Sequence, residues 1–235
     1  MHRNGRRLSS ALRDRSYGTR RAFCQIAIAA VCGAALAVPS VVWGGTRVKI
    51  VALGDSLTAG YGLPEKDGFV AQLQAALIAK GVAAEVANAG VSGDTASDGL
   101  ARLDWSVPEG TEAVIIELGA NNMLRGIDPQ VTRNALDTIL RRLRGRHLAI
   151  LLCGMRAAPN LGAAYSKAFD AIYPDLAAKY GVLFYPFFLD GVAADLSLEQ
   201  ADGMHPNARG VSVIVQRILP KVEELVARVR AQHPS

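Results

Sequence analysis

The chain has 235 residues, half of them hydrophobic, which is enough for one domain with a sizeable core and short of two. Its formal charge of +5 is local in origin: residues 1–37 hold seven arginines against one aspartate, and the other 198 residues carry 19 basic and 20 acidic groups. Outside that leader the charge is balanced, which excludes the broad basic footprint of a nucleic-acid binder.

In chain order, residues 1–37 read as an N-terminal export signal. A basic stretch ends in TRRAF (19–23), the apolar run CQIAIAAVCGAALAV follows, and Ala35-Leu36-Ala37 is an A-x-A cleavage pattern. Cleavage is expected after Ala37, with a site near Gly44–Gly45 as the alternative. TRRAF also resembles a twin-arginine signal, and residues 22–43 are nearly long enough to stay as an inner-membrane anchor. Periplasmic delivery is the expectation. Removal of the leader takes Cys24 and Cys32 with it and leaves Cys153 as an inert core thiol, so the exported domain holds together without a disulfide.

Residues 46–230 read as a single domain in which short apolar runs alternate with helical segments. VKIVAL (48–53) is strand-like, and FVAQLQAALIAKG (69–81) has helical spacing with a glycine stop. AAEVANAG (83–90) holds a second strand, TASDGLARL (95–103) a helix and AVIIEL (113–118) a third strand. DPQVTRNALDTILRRLRG (128–145) is helical, and its cluster Arg141, Arg142, Arg144, Arg146 suits the solvated, negative end of a helix dipole. LAILLCG (148–154) is a fourth strand. YSKAFDAIYPDLAAKYG (165–181) is helical with Pro174 inside it, which predicts a kink or break there. VLFYPFF (182–188) is an edge-like strand. NARGVSVIVQRILPKVEELVARVR (207–230) is a long amphipathic helix that Pro220 should bend or divide.

Strands alternating with helices predict an α/β fold, with βαβ units around a parallel sheet whose ligands bind beyond the carboxyl ends of the strands. Polar residues gather there: Asp55–Ser56 after the first strand, 88–93 after the second, Asn121–Asn122 after the third. A nucleophilic serine needs a base, and histidine fits near neutral pH. Of the four histidines, His2 is in the leader, His233 in the tail and His147 at a strand entrance. His205 remains, in QADGMHPNARG (200–210), with Asp202 three residues before it. That turn reads as an Asx-turn with a surface histidine, or as an acid orienting a base towards Ser56. The Ser56 N–H, a glycine N–H from SGDT (92–95) and the Asn121 amide could converge on an oxyanion, with a loop-capping role as the alternative for Asn121. Asp55 and Asp94 are expected to accept backbone N–H groups. The G-x-G-x-x-G, G-x-x-x-x-G-K-[ST] and G-x-S-x-G patterns are missing, and no clustered ligands suggest a metal.

Together these residues resemble the SGNH (GDSL) hydrolase family, in its arylesterase, acyl-CoA thioesterase I and lysophospholipase L1 branch. GDSLTAGYG (54–62) looks like the nucleophile block, NAGVSGDT (88–95) the glycine block, ELGANN (117–122) the asparagine block and DGMHPN (202–207) the acid–base block. The resemblance implies a three-layer α/β/α sandwich around a flavodoxin-like parallel sheet of about five strands, with no metal or cofactor. It implies Ser56 as nucleophile, His205 as general base and Asp202 as its orienting acid. The oxyanion hole would be Ser56 N–H, Gly93 N–H and the Asn121 side chain. Two positions depart from the branch: Asn122 stands where aspartate is usual, and Ala120 where a second glycine often stands. Implied substrates are aryl esters, acyl thioesters and lysophospholipids. Met123, Leu124, Ile127 and the segment 155–161, Pro159 included, are the expected cleft walls. Expected partners are a small ester or lipid, with no nucleic acid, no membrane span in the mature monomer, and at most transient lipid contact. The competing readings are a carbohydrate O-deacetylase and a catalytically silent envelope-binding protein.

Overall fold

The computed structural model describes residues 46–232. The export signal with its cleavage patterns, His2 and His233 lie outside the described residues. Strand β1 (Val48–Gly54) runs into a one-turn helix α1 (Ser56–Ala59), then a 3-10 turn at Glu65–Asp67 and helix α2 (Phe69–Ala79). Next come β2 (Ala84–Gly90), α3 (Ala96–Ala101), α4 (Leu103–Ser106), β3 (Ala113–Glu117), α5 (Ala120–Leu124) and α6 (Pro129–Gly145). The chain closes with β4 (Ala149–Cys153), a 3-10 turn at Pro159–Leu161, α7 (Ala163–Asp170), α8 (Ile172–Tyr180), β5 (Leu183–Tyr185) and α9 (Ala208–Gln232).

The five strands form one parallel sheet in the order β2-β1-β3-β4-β5. Every residue of β3 and β4 is buried, which is why β4 reads as an unbroken apolar run, and β3 as one up to Glu117, and neither as alternating. Right-handed crossovers put α2, which leads from β1 to β2, on one face. The connections that step the other way put α3, α6, α7 and α8 on the opposite face. The packing agrees, since α2 lies against α9, and α6 against both α3 and α8. The chain reverses its direction of travel across the sheet between β1 and β3. That reversal opens a crevice at their carboxyl ends, where Ser56 and Asn121 emerge.

Helix α6 buries Thr132, Ala135, Leu136, Ile139, Leu140 and Leu143, a stripe of three- and four-residue spacing. Its arginines point outward in the last turn, with Arg142 paired to Asp104 and Arg146 Nη2 donating to the Pro108 carbonyl at 3.1 Å. The break expected near Pro174 is present, and the division expected at Pro220 is not. The helical stretch 165–181 breaks at Ala171, ahead of Pro174. Pro174 becomes the third residue of α8, where a missing N–H leaves no bond unmade. Pro220 does not divide α9, which continues to Gln232. Val211, Ile214, Val215, Ile218, Val222, Leu225 and Val229 continue one buried stripe across the proline. At roughly 1.5–3 kcal/mol per buried aliphatic side chain, that stripe outweighs the ~3 kcal/mol penalty of an interior proline. TASDGLARL is two helices meeting at Arg102, not one. The one-turn helices α1 and α5 were not anticipated because four or five residues are too few to show a helical period.

Tyr173 is fully buried between α8 and the sheet, and its hydroxyl donates to the Leu118 carbonyl at 3.0 Å. Tyr173→Phe should lower the unfolding free energy by about 1–2 kcal/mol, read as a lower urea midpoint with an unchanged slope.

Candidate active site

The serine turn is specified by what surrounds Gly54. A Cβ there would lie 2.0 Å from Thr58 Oγ1 and 2.7 Å from Glu117 Oε2, so only glycine ends β1 this way. Asp55 is fully buried and caps α1, its Oδ1 accepting the Leu57 N–H at 3.0 Å. Ser56 thereby becomes the first residue of α1. Its carbonyl accepts the N–H groups of Gly60 and Tyr61 at 3.1 and 3.0 Å, closing the turn through Gly60 at φ 81°.

The histidine is held by its own acid. Asp202 Oδ1 accepts the N–H groups of Met204 and His205, both at 3.0 Å, while Oδ2 lies 2.6 Å from His205 Nδ1. Gly203, at φ 64°, allows the tight turn. His205 Nε2 is then 2.9 Å from Ser56 Oγ. The His205 N–H, its ring and the Met204 N–H together pull Asp202 down to about 2, so it is a carboxylate at neutral pH. With Asp202 accepting at Nδ1–H, Nε2 is left as the proton acceptor facing the serine. The Tyr61 ring lies against the imidazole, with centroids 4.7 Å apart and the planes tilted by 39°. Gln200 ties the two loops, its N–H donating to the His205 carbonyl at 2.7 Å and its Nε2 to the Tyr61 carbonyl at 2.8 Å. Asn207 caps α9 through Arg209 N–H and Gly210 N–H, and its Nδ2 reaches back to the carbonyls of Ser197 and Glu199.

Asn121 is set by Gly119, which has a φ of 117° and where an added Cβ would fall 2.1 Å from the Tyr173 hydroxyl, so no side chain is admitted. Its Nδ2 donates to Asp55 Oδ2 at 3.2 Å and to the Asp94 carbonyl at 3.0 Å. The amide is therefore joined both to the serine turn and to the residue following Gly93. Gly93 sits at φ 89° with its carbonyl accepting from Arg125 Nη2 at 2.7 Å. Asn122 is fully buried, and its Oδ1 accepts the Ala96 N–H at 2.8 Å, which an aspartate oxygen could do equally well; its Nδ2 has no partner. Asp55 behaves as expected. Asp94 does not: its carboxylate accepts Arg102 Nε at 2.6 Å in place of a backbone N–H.

A cleft of about 490 Å³ opens from Ser56 and His205, walled by Met123, Leu124, Met155, Phe187 and Leu189, with Pro159 at its margin. Ile127 is outside it, with its N–H on the Asn122 carbonyl and its own carbonyl accepting the Tyr165 hydroxyl. Sequence reasoning also missed Phe187, assigned only to a strand, and Leu189, just past that strand's expected end. It missed Arg102, which reads as an ordinary helix residue, and Glu117, whose one signal was a charge closing an apolar run. Among the described residues, no group of three or more His, Cys, Asp or Glu side chains converges in the manner of metal ligands.

Beneath the serine turn lies a second carboxyl. Glu117, fully buried at the end of β3, accepts the Thr58 hydroxyl at 2.8 Å and the Asp55 N–H at 3.4 Å. Burial first, then the Asp55 charge, pushes Glu117 well above the usual carboxyl range. Burial also raises Asp55 to about 6, against the pull of the Leu57 N–H and the Asn121 amide.

The sequence matches the GDSL-like Lipase/Acylhydrolase family over residues 52–213. Esterase TesA of Pseudomonas aeruginosa is 36% identical over 178 residues, spanning 75% of this chain and 89% of the relative. Thioesterase 1/protease 1/lysophospholipase L1 of Escherichia coli (strain K12) is also 36% identical, spanning 75% and 84%. Among solved structures, AlinE4, described as an SGNH-hydrolase family esterase, is 47% identical at a TM-score of 0.65, covering 77% of this chain and 97% of its own.

The buried pair fixes a sign for pH dependence. Asp55 and Glu117 bind protons more tightly folded than unfolded, so stability falls as pH rises from about 4 through 6 and beyond. Asp202 acts oppositely, its contribution being present above 3.8 and lost as pH falls through about 2. Glu117→Gln should therefore gain on the wild type progressively as pH rises above about 4.5, measured as urea midpoints. A pH-independent offset would mean that Glu117 titrates normally.

Proposed function

This chain belongs to the GDSL-like Lipase/Acylhydrolase family and is an SGNH-type serine hydrolase, and we propose that Ser56, His205 and Asp202 are its catalytic residues, acting on acyl esters and thioesters. The observation that carries this reading is the continuous chain from Ser56 Oγ through His205 to Asp202, at 2.9 and 2.6 Å.

In the proposed reaction the acyl chain lies in the apolar cleft with its carbonyl over Ser56. Ser56 Oγ attacks the carbonyl carbon as its proton passes to His205 Nε2, and the Asp202 carboxylate stabilises the imidazolium through Nδ1–H. The negative oxygen of the tetrahedral intermediate is met by the N–H groups of Ser56 and Gly93 and by Asn121 Nδ2. In the resting site that amide spends its two hydrogens on Asp55 and the Asp94 carbonyl, so it must turn one of them to the oxyanion. Collapse breaks the ester or thioester bond, and His205 returns the proton to the departing oxygen or sulfur. Water, deprotonated by His205, then attacks the acyl-serine, and collapse releases the acid as His205 returns the proton to Ser56 Oγ.

Apolar walls favour an acyl chain over a polysaccharide, which sets an esterase above a carbohydrate deacetylase. Aryl esters, acyl thioesters and lysophospholipids are the proposed substrates, and the leader pattern of residues 1–37 supports a periplasmic location. The test is turnover of the purified protein on chromogenic esters of increasing chain length, a lysophospholipid and an acetylated glycan. Turnover should extend well beyond acetyl esters and include the lysophospholipid. Ser56→Ala and His205→Ala should each lose about 10⁴-fold or more in kcat. Acetate release from the glycan alone would give the deacetylase reading, and equal slow hydrolysis by wild type and both variants would remove the triad.

A further inference from the structure

Arg102 stands at the junction of α3 and α4 and is only 7% exposed, yet it touches three separate segments at the mouth of the sheet. Nη2 donates to the Gly54 carbonyl at 2.8 Å, two residues before Ser56. Nη1 donates to the Ala89 carbonyl at 2.8 Å, near the end of β2, and to Ser106 Oγ at 2.9 Å. Nε donates to Asp94 Oδ2 at 2.6 Å, one residue after Gly93. The ladder between β1 and β2 ends at Gly54 and Gly90, and beyond it only the Val91 N–H still reaches the Gly54 carbonyl, at 3.1 Å. The guanidinium thus continues the connection where the strands stop. Asp94 extends it once more, because its own carbonyl accepts the Asn121 amide.

We propose that Arg102 is a positioning residue that fixes the serine turn against the glycine loop, so that the Ser56 and Gly93 N–H groups face one and the same oxyanion. The proposal rests on the reading in which those groups form the oxyanion hole. Three features separate it from a packing role alone. A planar fork is needed to meet two carbonyls and a carboxylate at once, and a lysine ammonium, one point charge on a flexible stem, cannot span them. Among the described residues, neither Arg102 nor the segment 88–95 lines the cleft, so the apolar walls that would hold an acyl chain do not touch Arg102. The charge that develops during the reaction does depend on both loops. Disturbing Arg102 should therefore appear in the chemical step and not in substrate binding.

The experiment measures kcat and KM of the full-length protein on a soluble chromogenic ester, for wild type, Arg102→Lys and Asp94→Asn, with the folded fraction checked by circular dichroism. An alkyl boronic acid, which takes on the tetrahedral geometry at serine, and the carboxylic acid product are used as inhibitors. Per folded molecule, Arg102→Lys should lose about 10–100-fold in kcat with KM within about twofold. The boronic acid should weaken in parallel while product inhibition stays constant. Asp94→Asn, which keeps the guanidinium and its carbonyl contacts, should show a smaller loss of the same kind and carries the test if Arg102→Lys does not fold. Unchanged kcat per folded molecule, or a loss confined to KM, overturns the proposal. Ser56→Ala run alongside separates the two levels, since turnover surviving in that variant would remove the nucleophile assignment itself.

Discussion

The hydrogen bond between His205 Nε2 and Ser56 Oγ, 2.9 Å long and closed across 149 residues of sequence, is the constraint to which the rest of this structure answers. Neither partner reaches it alone. The serine is presented by a turn that only Gly54 and the buried Asp55 allow, at the end of a strand buried on both faces. The histidine is presented by a loop that Asp202 braces from inside, through two backbone N–H groups as well as the imidazole. The sheet order supplies the common ground, because the reversal between β1 and β3 puts the open crevice beside Ser56.

Around that bond the molecule buries more charge than an ordinary core of this size needs. Asp55, Glu117 and Arg102 are each under a tenth exposed and lie within one residue of a strand end or at a helix junction. Their burial would be costly if they were unpaired. It is offset by concentrated hydrogen bonding: Arg102 has four partners, and Asp55 accepts from both a backbone N–H and the Asn121 amide. Glu117 is best accommodated as the neutral acid, which spares the site a second negative charge beneath the serine. A rigid polar frame of this kind holds the serine turn and the glycine loop in place before substrate arrives, and preorganisation is where electrostatic catalysis gains most.

Much of this was legible in the sequence, and what was not has physical reasons. The strands were readable because β1, β3 and β4 are apolar nearly throughout, and α6 because its stripe repeats over 17 residues. Ser56, Asn121, Asp202 and His205 could be placed because they sit in compact blocks at strand ends or before a helix, where a polar residue is conspicuous. That Pro174 breaks its helix was readable; that the break falls at Ala171 was not, since a proline tells only that a helix is perturbed nearby and tertiary packing decides where. Ile127 was misplaced because a loop's apolar side chains carry no period that says which way they face. Arg102 was invisible for a related reason: an arginine in TASDGLARL looks like any solvated helix residue until its four partners, Gly54, Ala89, Asp94 and Ser106, are brought together.

The account turns on Ser56 being the atom that forms the covalent bond, with His205 drawing off its proton. The direct measurement is covalent trapping: the purified protein is treated with a reactive alkyl phosphonate ester, digested, and its peptides are weighed by mass spectrometry. The account predicts a single phosphonyl adduct on the peptide containing Ser56, formed rapidly in the wild type and negligibly in His205→Ala. An adduct on another hydroxyl, or labelling of Ser56 at the same rate without the histidine, would contradict it.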